Sequence, residues 1–170
     1  MSDPHSPLRL NVGFVVAQSA GFSRDFPFDL PQTNIPPDLQ LSYLTGSVRA
    51  TRTPQGILLQ ADLHSEINLE CVRCLTDFLH SLRVDFTELY AFSQRYVTDS
   101  GLLMPETGMI DLAPVLREYT LLEIPISPLC QPACKGLCPI CGNNLNEGNC
   151  YHEDESGDPR LASLKRLLDQ

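Results

Sequence analysis

The stretch Ile57-Leu58-Leu59-Gln60-Ala61-Asp62-Leu63-His64-Ser65-Glu66-Ile67-Asn68-Leu69-Glu70-Cys71-Val72-Arg73-Cys74 decides the fold class of this chain. Ile57, Leu59, Ala61, Leu63, Ile67, Leu69 and Cys71 fall on one face of a period-2 pattern. Gln60, Asp62, His64, Glu66, Asn68 and Glu70 fall on the other, as in a strand buried on one side. A second alternating run follows, with Phe78, Leu82, Val84 and Phe86 opposite Asp77, Ser81, Arg83 and Asp85. Two such runs flanking Cys71-x2-Cys74 place that cysteine pair at the tip of an antiparallel hairpin.

Upstream, Thr53-Pro54-Gln55-Gly56 carries turn chemistry, so a further strand from Leu41 onward should precede the first run. Pro27, Pro31, Pro36 and Pro37 predict an irregular connector with at most one short edge strand. The alternation of Leu8, Leu10, Val12 and Phe14 predicts an N-terminal half-buried strand. Downstream the period changes: Leu112, Val115, Leu116, Tyr119 and Leu122 recur at three and four, with Asp111 as N-cap and Pro114 in the first turn of a helix ending near Glu123. Asp158-Pro159 followed by Leu161, Leu164, Leu167 and Leu168 signals a final short helix. The expected fold is α+β: a curved, mainly antiparallel sheet covered by an amphipathic helix, with a C-terminal zinc-knuckle appendage. Residues 1–128 would form the core domain, and residues 129–170 a knuckle segment and short helix packed on the hairpin tip at 71–74.

At 170 residues the chain has room for one real core and a small appendage. Met1-Ser2-Asp3-Pro4-His5-Ser6-Pro7 lacks the basic flank and apolar stretch of a secretory signal, and no run approaches the roughly 18 apolar residues of a membrane span. The expectation is a cytoplasmic protein without a membrane partner. Reducing thiol pools there disfavour structural disulfides but tolerate thiolate metal sites. The cysteine count of seven is also odd, so full pairing needs a partner that is not cysteine.

The cysteines fall into Cys71-x2-Cys74 and the run Cys130-x3-Cys134-x3-Cys138-x2-Cys141-x8-Cys150-Tyr151-His152. With His152 they supply eight soft or borderline donors, enough for two tetrahedral zinc ions. A Cys-x2-Cys turn brings two thiolates to one ion while its backbone N–H groups face sulfur, and Gly142 after Cys141 is free to take positive φ. Cys138, Cys141, Cys150 and His152 can close a site within one short loop at little entropic cost, leaving Cys71, Cys74, Cys130 and Cys134 for an all-cysteine site. A rival pairing joins Cys130 and Cys134 to Cys138 and Cys141, with the hairpin pair meeting Cys150 and His152. Loop closure favours the first. Any single cysteine could be a buried small hydrophobe, but the clustering beside Pro, Gly and Asn points to metal. Four thiolates could also hold an iron–sulfur cluster.

Net charge is −9, and Arg49, Arg52, Arg73, Arg83, Arg117 and Lys135 form no run. Seven thiolate charges against four from two dications would carry the total to −12, a poor footprint for gripping a phosphate backbone. His64-Ser65-Glu66 matches part of the zinc deaminase signature, but Cys138-Pro139-Ile140-Cys141 has the proline after the first cysteine, and His64 belongs to the polar strand face. His5 and His80 have no spaced partners, and Glu147, Glu153, Asp154, Glu155 and Asp158 read as a solvated segment. Phosphate loop and nucleophile elbow are both missing, and a fully ligated zinc offers water no open position. These signals argue against an enzyme or a small-molecule substrate.

Glu70-Cys71-Val72-Arg73-Cys74-Leu75, Ile110-Asp111-Leu112, Leu129-Cys130, the run from Cys134 to Asn146 and Pro159-Arg160-Leu161-Ala162-Ser163-Leu164-Lys165 together resemble the YceD family of large ribosomal RNA subunit accumulation proteins. The resemblance covers most of the chain from the Leu41 strand onward. It implies a non-catalytic role in large-subunit assembly or ribosomal RNA accumulation, with a ribosomal protein or precursor ribosomal RNA as partner. Family members that keep the hairpin pair and the equivalents of Cys130 and Cys134 while lacking the later knuckle imply two separable sites. Lys135, Asn143, Asn144, Lys165 and Arg166 are the expected contact residues. Two other functions are open to the same residues: a redox-responsive protein whose thiolates release zinc on oxidation, and a zinc-ribbon-like binder of bare nucleic acid.

Overall fold

The computed structural model describes residues 6–152. The chain divides into two compact units, one of residues 1–69 and 77–128 and the other of residues 70–76 and 129–170. The larger unit is a mostly antiparallel sheet with two helices. In chain order it holds β1 (Arg9–Asn11), α1 (Gly13–Val16), β2 (Ser23–Ile35), β3 (Leu39–Arg52), β4 (Gly56–Glu70), β5 (Asp77–Ala91), a 3₁₀ turn at Gln94–Tyr96, β6 (Met109–Asp111) and α2 (Ala113–Glu123). Four strands form one sheet in the order β2-β3-β4-β5, and β1 pairs with β6 in a second.

The alternation that begins at Ile57 appears as burial. Ile57, Leu59, Ala61, Leu63 and Ile67 of β4 are buried, while Gln60, Asp62, His64 and Asn68 are exposed. Leu82, Val84 and Phe86 of β5 do the same between Ser81, Arg83, Asp85 and Thr87. On the polar face Arg83 donates from Nε to Asp62 at 3.2 Å, an exposed cross-strand pair of small energetic weight. His64 lies beside the same carboxylate, 3.8 Å away, as a solvated strand residue.

Three local expectations are corrected. The proline-punctuated segment is no irregular connector: β2 runs 13 residues through Pro27 and Pro31, and pairs with β3 from Ser23↔Thr51 to Ile35↔Leu39. It is an edge strand, and an edge strand turns only alternate N–H groups toward its single neighbour. Pro27 and Pro31 stand four apart and share that parity, so both can lack the donor on the unpaired side. The signal that prolines hid was Phe26, Phe28 and Leu30 alternating with Asp25, Pro27 and Asp29.

The N-terminal strand stops early. Leu8, Leu10 and Val12 are buried as expected, but Asn11 Oδ1 accepts the Gly13 N–H at 3.1 Å and the chain turns into α1. That change of period buries Val15 and leaves Phe14 exposed.

In the third case Asp111 ends β6, opposite Arg9, and α2 begins two residues later. Its Oδ1 accepts the Ala113 N–H at 3.0 Å, so it serves the helix start from one position further out than an N-cap. Leu112, Val115 and Leu116 are buried, and the Tyr119 ring stacks on Phe86 with centroids 4.9 Å apart. Leu122 is 78% exposed, although by helical angle it shares the side of Val115. It lies in the last turn, where nothing described in this unit covers it. Replacing Asp111 by alanine should cost about 1 kcal/mol, read as a lowered urea midpoint at constant slope, because an orphan helix donor loses its acceptor. The expected C-terminal helix after Asp158 lies outside the described residues.

Candidate metal centres

The smaller unit owes its shape to two turns of the same design. In residues 70–76 the Leu75 N–H donates to the Cys71 carbonyl at 2.9 Å, and Cys71 N–H donates to the Thr76 carbonyl at 3.0 Å. In the later segment the Gly142 N–H donates to the Cys138 carbonyl, also at 2.9 Å. The residue after the second cysteine takes the left-handed region in both, with φ of 56° at Leu75 and 75° at Gly142. Glycine adopts that conformation freely, so Gly142 advertised its turn in the sequence, whereas Leu75 gave no such sign.

Each turn collects two further donors. One ligand atom from each of Cys71, Cys74, Cys130 and Cys134 lies within 4.8 Å of all the others, and the same holds for Cys138, Cys141, Cys150 and His152. The favoured pairing is therefore the grouping found, and the rival is not. All seven cysteines are free of disulfide bonds. Sγ separations are 3.8 Å for Cys71 and Cys134, and 3.6 Å for Cys74 and Cys130. In the second group they are 3.5 Å for Cys141 and Cys150, with His152 Nε2 at 3.1 Å from Cys141 Sγ. A tetrahedron with metal–sulfur bonds of about 2.3 Å has sulfur–sulfur edges of about 3.8 Å, so the thiol distances fit an ion's first shell; the histidine approach is tighter than such an edge. Both groups could hold a metal ion.

Their surroundings differ. Cys71, Cys74 and Cys134 are buried and Cys130 half-buried, while Cys141 and His152 are exposed. Burial raises the Cys71 thiol, but N–H groups of Cys130, Cys74 and Arg73 outweigh it and hold the thiol down to about 6. The Thr76 hydroxyl and backbone N–H lower Cys74. Cys130 is pushed up to about 12 by burial and by the neighbouring sulfurs of Cys74, Cys134 and Cys71. In the second group N–H groups of Cys141 and Ile140 bring Cys138 down to about 6, and the Cys141 sulfur followed by burial pushes Cys150 up to about 11. The first turn thus lowers Cys71 and Cys74 and the second lowers Cys138, while burial and neighbouring sulfurs hold Cys130 and Cys150 up. A dication held among the sulfurs would favour the ionised form of Cys130 and Cys150.

The family model described as "Large ribosomal RNA subunit accumulation protein YceD" matches residues 59–168, a span that contains both donor groups. The chain belongs to the YceD family. An uncharacterized protein of Mycobacterium tuberculosis is 33% identical over 127 residues, covering 71% of this chain and 60% of the relative. YlbN of Bacillus subtilis is 31% identical over 124 residues, or 72% of each chain. The Arabidopsis thaliana protein named large ribosomal RNA subunit accumulation protein YCED homolog 1, chloroplastic, is 39% identical over 66 residues, 39% of this YceD-family chain and 21% of the plant protein. The chain spans 60% of the length of the mycobacterial relatives it matches. No solved structure matches it.

Among the expected contact residues, Lys135 and Asn143 are exposed, and Lys165 and Arg166 lie outside the described residues. Asn144 is only half-exposed and is spent on its own loop: its Oδ1 accepts from Asn146, and its Nδ2 donates to Glu147 at 3.1 Å. Two contributors went unnoticed in the sequence. Arg73 Nη1 donates to the Cys134 carbonyl at 2.9 Å, and Asn146 Nδ2 donates to Cys134 Sγ at 3.3 Å. No described helix is long and apolar enough to cross a membrane.

Proposed function

We propose that this protein is a non-catalytic zinc-binding factor in large ribosomal subunit assembly or ribosomal RNA accumulation. The observation that carries it is the closure of two complete four-donor groups inside a segment matched by the YceD family model. Zinc suits the donors because structural zinc is four-coordinate, takes sulfur and imidazole together, and needs no redox partner. Four protein ligands leave an ion no position for water or substrate, which supports a structural role over catalysis. Thiolate sites of this kind persist in a reducing compartment, so the cytoplasm is the proposed location.

The partner class follows from the relatives' printed name and from charge. A net charge of −9 favours a ribosomal protein, or structured precursor ribosomal RNA recognised by shape, over bare nucleic acid held through its phosphates. Exposed Lys135 and Asn143 on the metal-holding unit are the proposed contacts. Depleting the protein from growing cells should lower the large-subunit ribosomal RNA relative to that of the small subunit, and tagged protein should co-purify large-subunit precursors. Normal subunit profiles after depletion would defeat the proposal, and purified protein without zinc by elemental analysis would defeat its metal half.

The exposure of one centre favours a second reading, redox-responsive release. Cys141 is exposed and its sulfur is 3.5 Å from that of Cys150, while the other group is largely buried. Hydrogen peroxide, with two protons from solvent, accepts two electrons from this thiolate pair, giving a disulfide and two waters and dismantling the site. Mild peroxide should therefore release one zinc equivalent per chain into a chromophoric chelator, with a Cys141–Cys150 disulfide in the peptide map. Simultaneous loss of both equivalents would count against it.

A further inference from the structure

We infer that Asn146 couples the two metal centres, so that filling the Cys138/Cys141/Cys150/His152 centre tightens metal binding at the all-cysteine centre. The inference rests on the metal reading above. The coupling element is the loop from Gly142 to Asn149, whose two ends are ligands of the second centre, Cys141 and Cys150. Asn146 lies in the middle of that loop, yet its side chain serves the first centre.

Its polar atoms are fully used. Nδ2 donates to Cys134 Sγ at 3.3 Å and to Asn144 Oδ1 at 2.7 Å. Oδ1 accepts the Lys135 N–H at 2.9 Å and Gln131 Nε2 at 3.3 Å. The Lys135 amide can only donate, so the side chain has one allowed orientation, with Nδ2 on the sulfur. It therefore grips the Gln131–Lys135 turn that carries Cys134, and it offers a donor to the thiolate itself. Outer-shell donors of this kind orient a ligand and stabilise its ionised form.

The loop is set by short backbone contacts. Leu137 bridges Asn144, Cys138 N–H donates to the Asn143 carbonyl at 2.8 Å, and Leu145 N–H donates to the Gly136 carbonyl at 2.9 Å. The far half, Asn146 to Asn149, is tied at its near end to Asn144, through the Asn146 N–H on its Oδ1 at 3.0 Å and the Glu147 N–H on its carbonyl at 3.1 Å, and at its far end it leads into the ligands Cys150 and His152. An ion in the second centre closes that half and holds Asn146 on Cys134. An empty second centre frees it, and by linkage the preference is mutual.

The experiment is competition of the full chain against a chromophoric zinc chelator, together with cobalt spectra, in which all-cysteine and three-cysteine-one-histidine sites have distinct bands. Asn146→Asp keeps the size and an acceptor oxygen but replaces the donor with an anion. It should weaken the all-cysteine centre about 10–100-fold and shift that centre's sulfur-to-cobalt charge-transfer band, with the second centre's bands in place. Cys150→Ser should weaken the all-cysteine centre in the otherwise unaltered chain, and much less so in the Asn146→Asp background. Additive losses in that cycle overturn the coupling through Asn146. An all-cysteine affinity indifferent to Cys150→Ser overturns the coupling altogether, without requiring that any Asn146 variant fold. A wild-type chain that takes up neither zinc nor cobalt would instead remove the metal reading itself, and this inference with it.

Discussion

On the proposed zinc reading, replacing Cys74 by serine should halve the metal content from two equivalents per chain to one and unfold the region around the hairpin tip and Cys130–Cys134. Among the described residues of the smaller unit, apolar burial is scarce. Buried in it are four cysteines, Cys71, Cys74, Cys134 and Cys138, whereas the apolar core cluster draws on the strands and helices of the larger unit. Where apolar burial is scarce, metal binding is folding energy, and structural zinc supplies about 10–16 kcal/mol at neutral pH. Elemental analysis gives the stoichiometry, and amide NMR peaks from residues 70–76 and 129–137 should lose dispersion while those of the β-sheet and of residues 138–152 persist. Retention of two equivalents with unchanged peaks would sink the assignment of this centre. The pH dependence has a definite sign. Cys71 and Cys138 are held at about 6 against an ordinary 9.0. The fold's preference for those thiolates is complete above 9.0 and is lost as pH falls through about 6. Zinc should leave on acidification through that range. Its uptake near neutral pH should release protons, since Cys130 at about 12 and Cys150 at about 11 still carry theirs.

Gly46→Ala should destabilise the larger unit by about 4 kcal/mol. Gly46 lies in β3 opposite Leu63 of β4 and has a φ of 130°, which side chains rarely adopt. A Cβ there would stand 2.2 Å from the Asp62 carbonyl oxygen and 3.0 Å from the Leu63 Cα, both backbone atoms of the neighbouring strand. Neither can rotate away, so β3 and β4 would have to separate where Val48, Leu59, Ala61 and Leu63 pack. Backbone strain of about 1–3 kcal/mol and overpacking of about 1–3 kcal/mol set the size of the effect. Chemical denaturation followed by far-UV circular dichroism reads it directly. Zinc stoichiometry of the folded fraction should stay at two, because the donors belong to the other unit. A midpoint within error of the parent would show that the strands accommodate the methyl group.

How much of this was legible beforehand depends on how local the governing interaction is. The strands from Ile57 to Cys71 and from Phe78 to Phe86 were readable because burial of one face writes a period of two into adjacent residues. The donors of both centres were readable because thiolates in turns with Gly and Pro neighbours have few other uses. Leu75 was not, since a left-handed leucine looks like any other leucine until its turn is built. Phe14 and Leu122 were misplaced for a related reason: periodicity gives the angle of a side chain but not where the covering surface ends.

The amino-acid sequence by itself determined the alternating strands, the eight donors and the family, because each is carried by residue types at short spacing. Loop closure favours the donor grouping that the structure shows, and tertiary structure alone decided two things: that Pro27 and Pro31 sit in an edge strand, and that Asn146 reaches the sulfur of Cys134. Each of these depends on which distant segment the chain closes against, and spacing along one strand or turn carries no record of that closure.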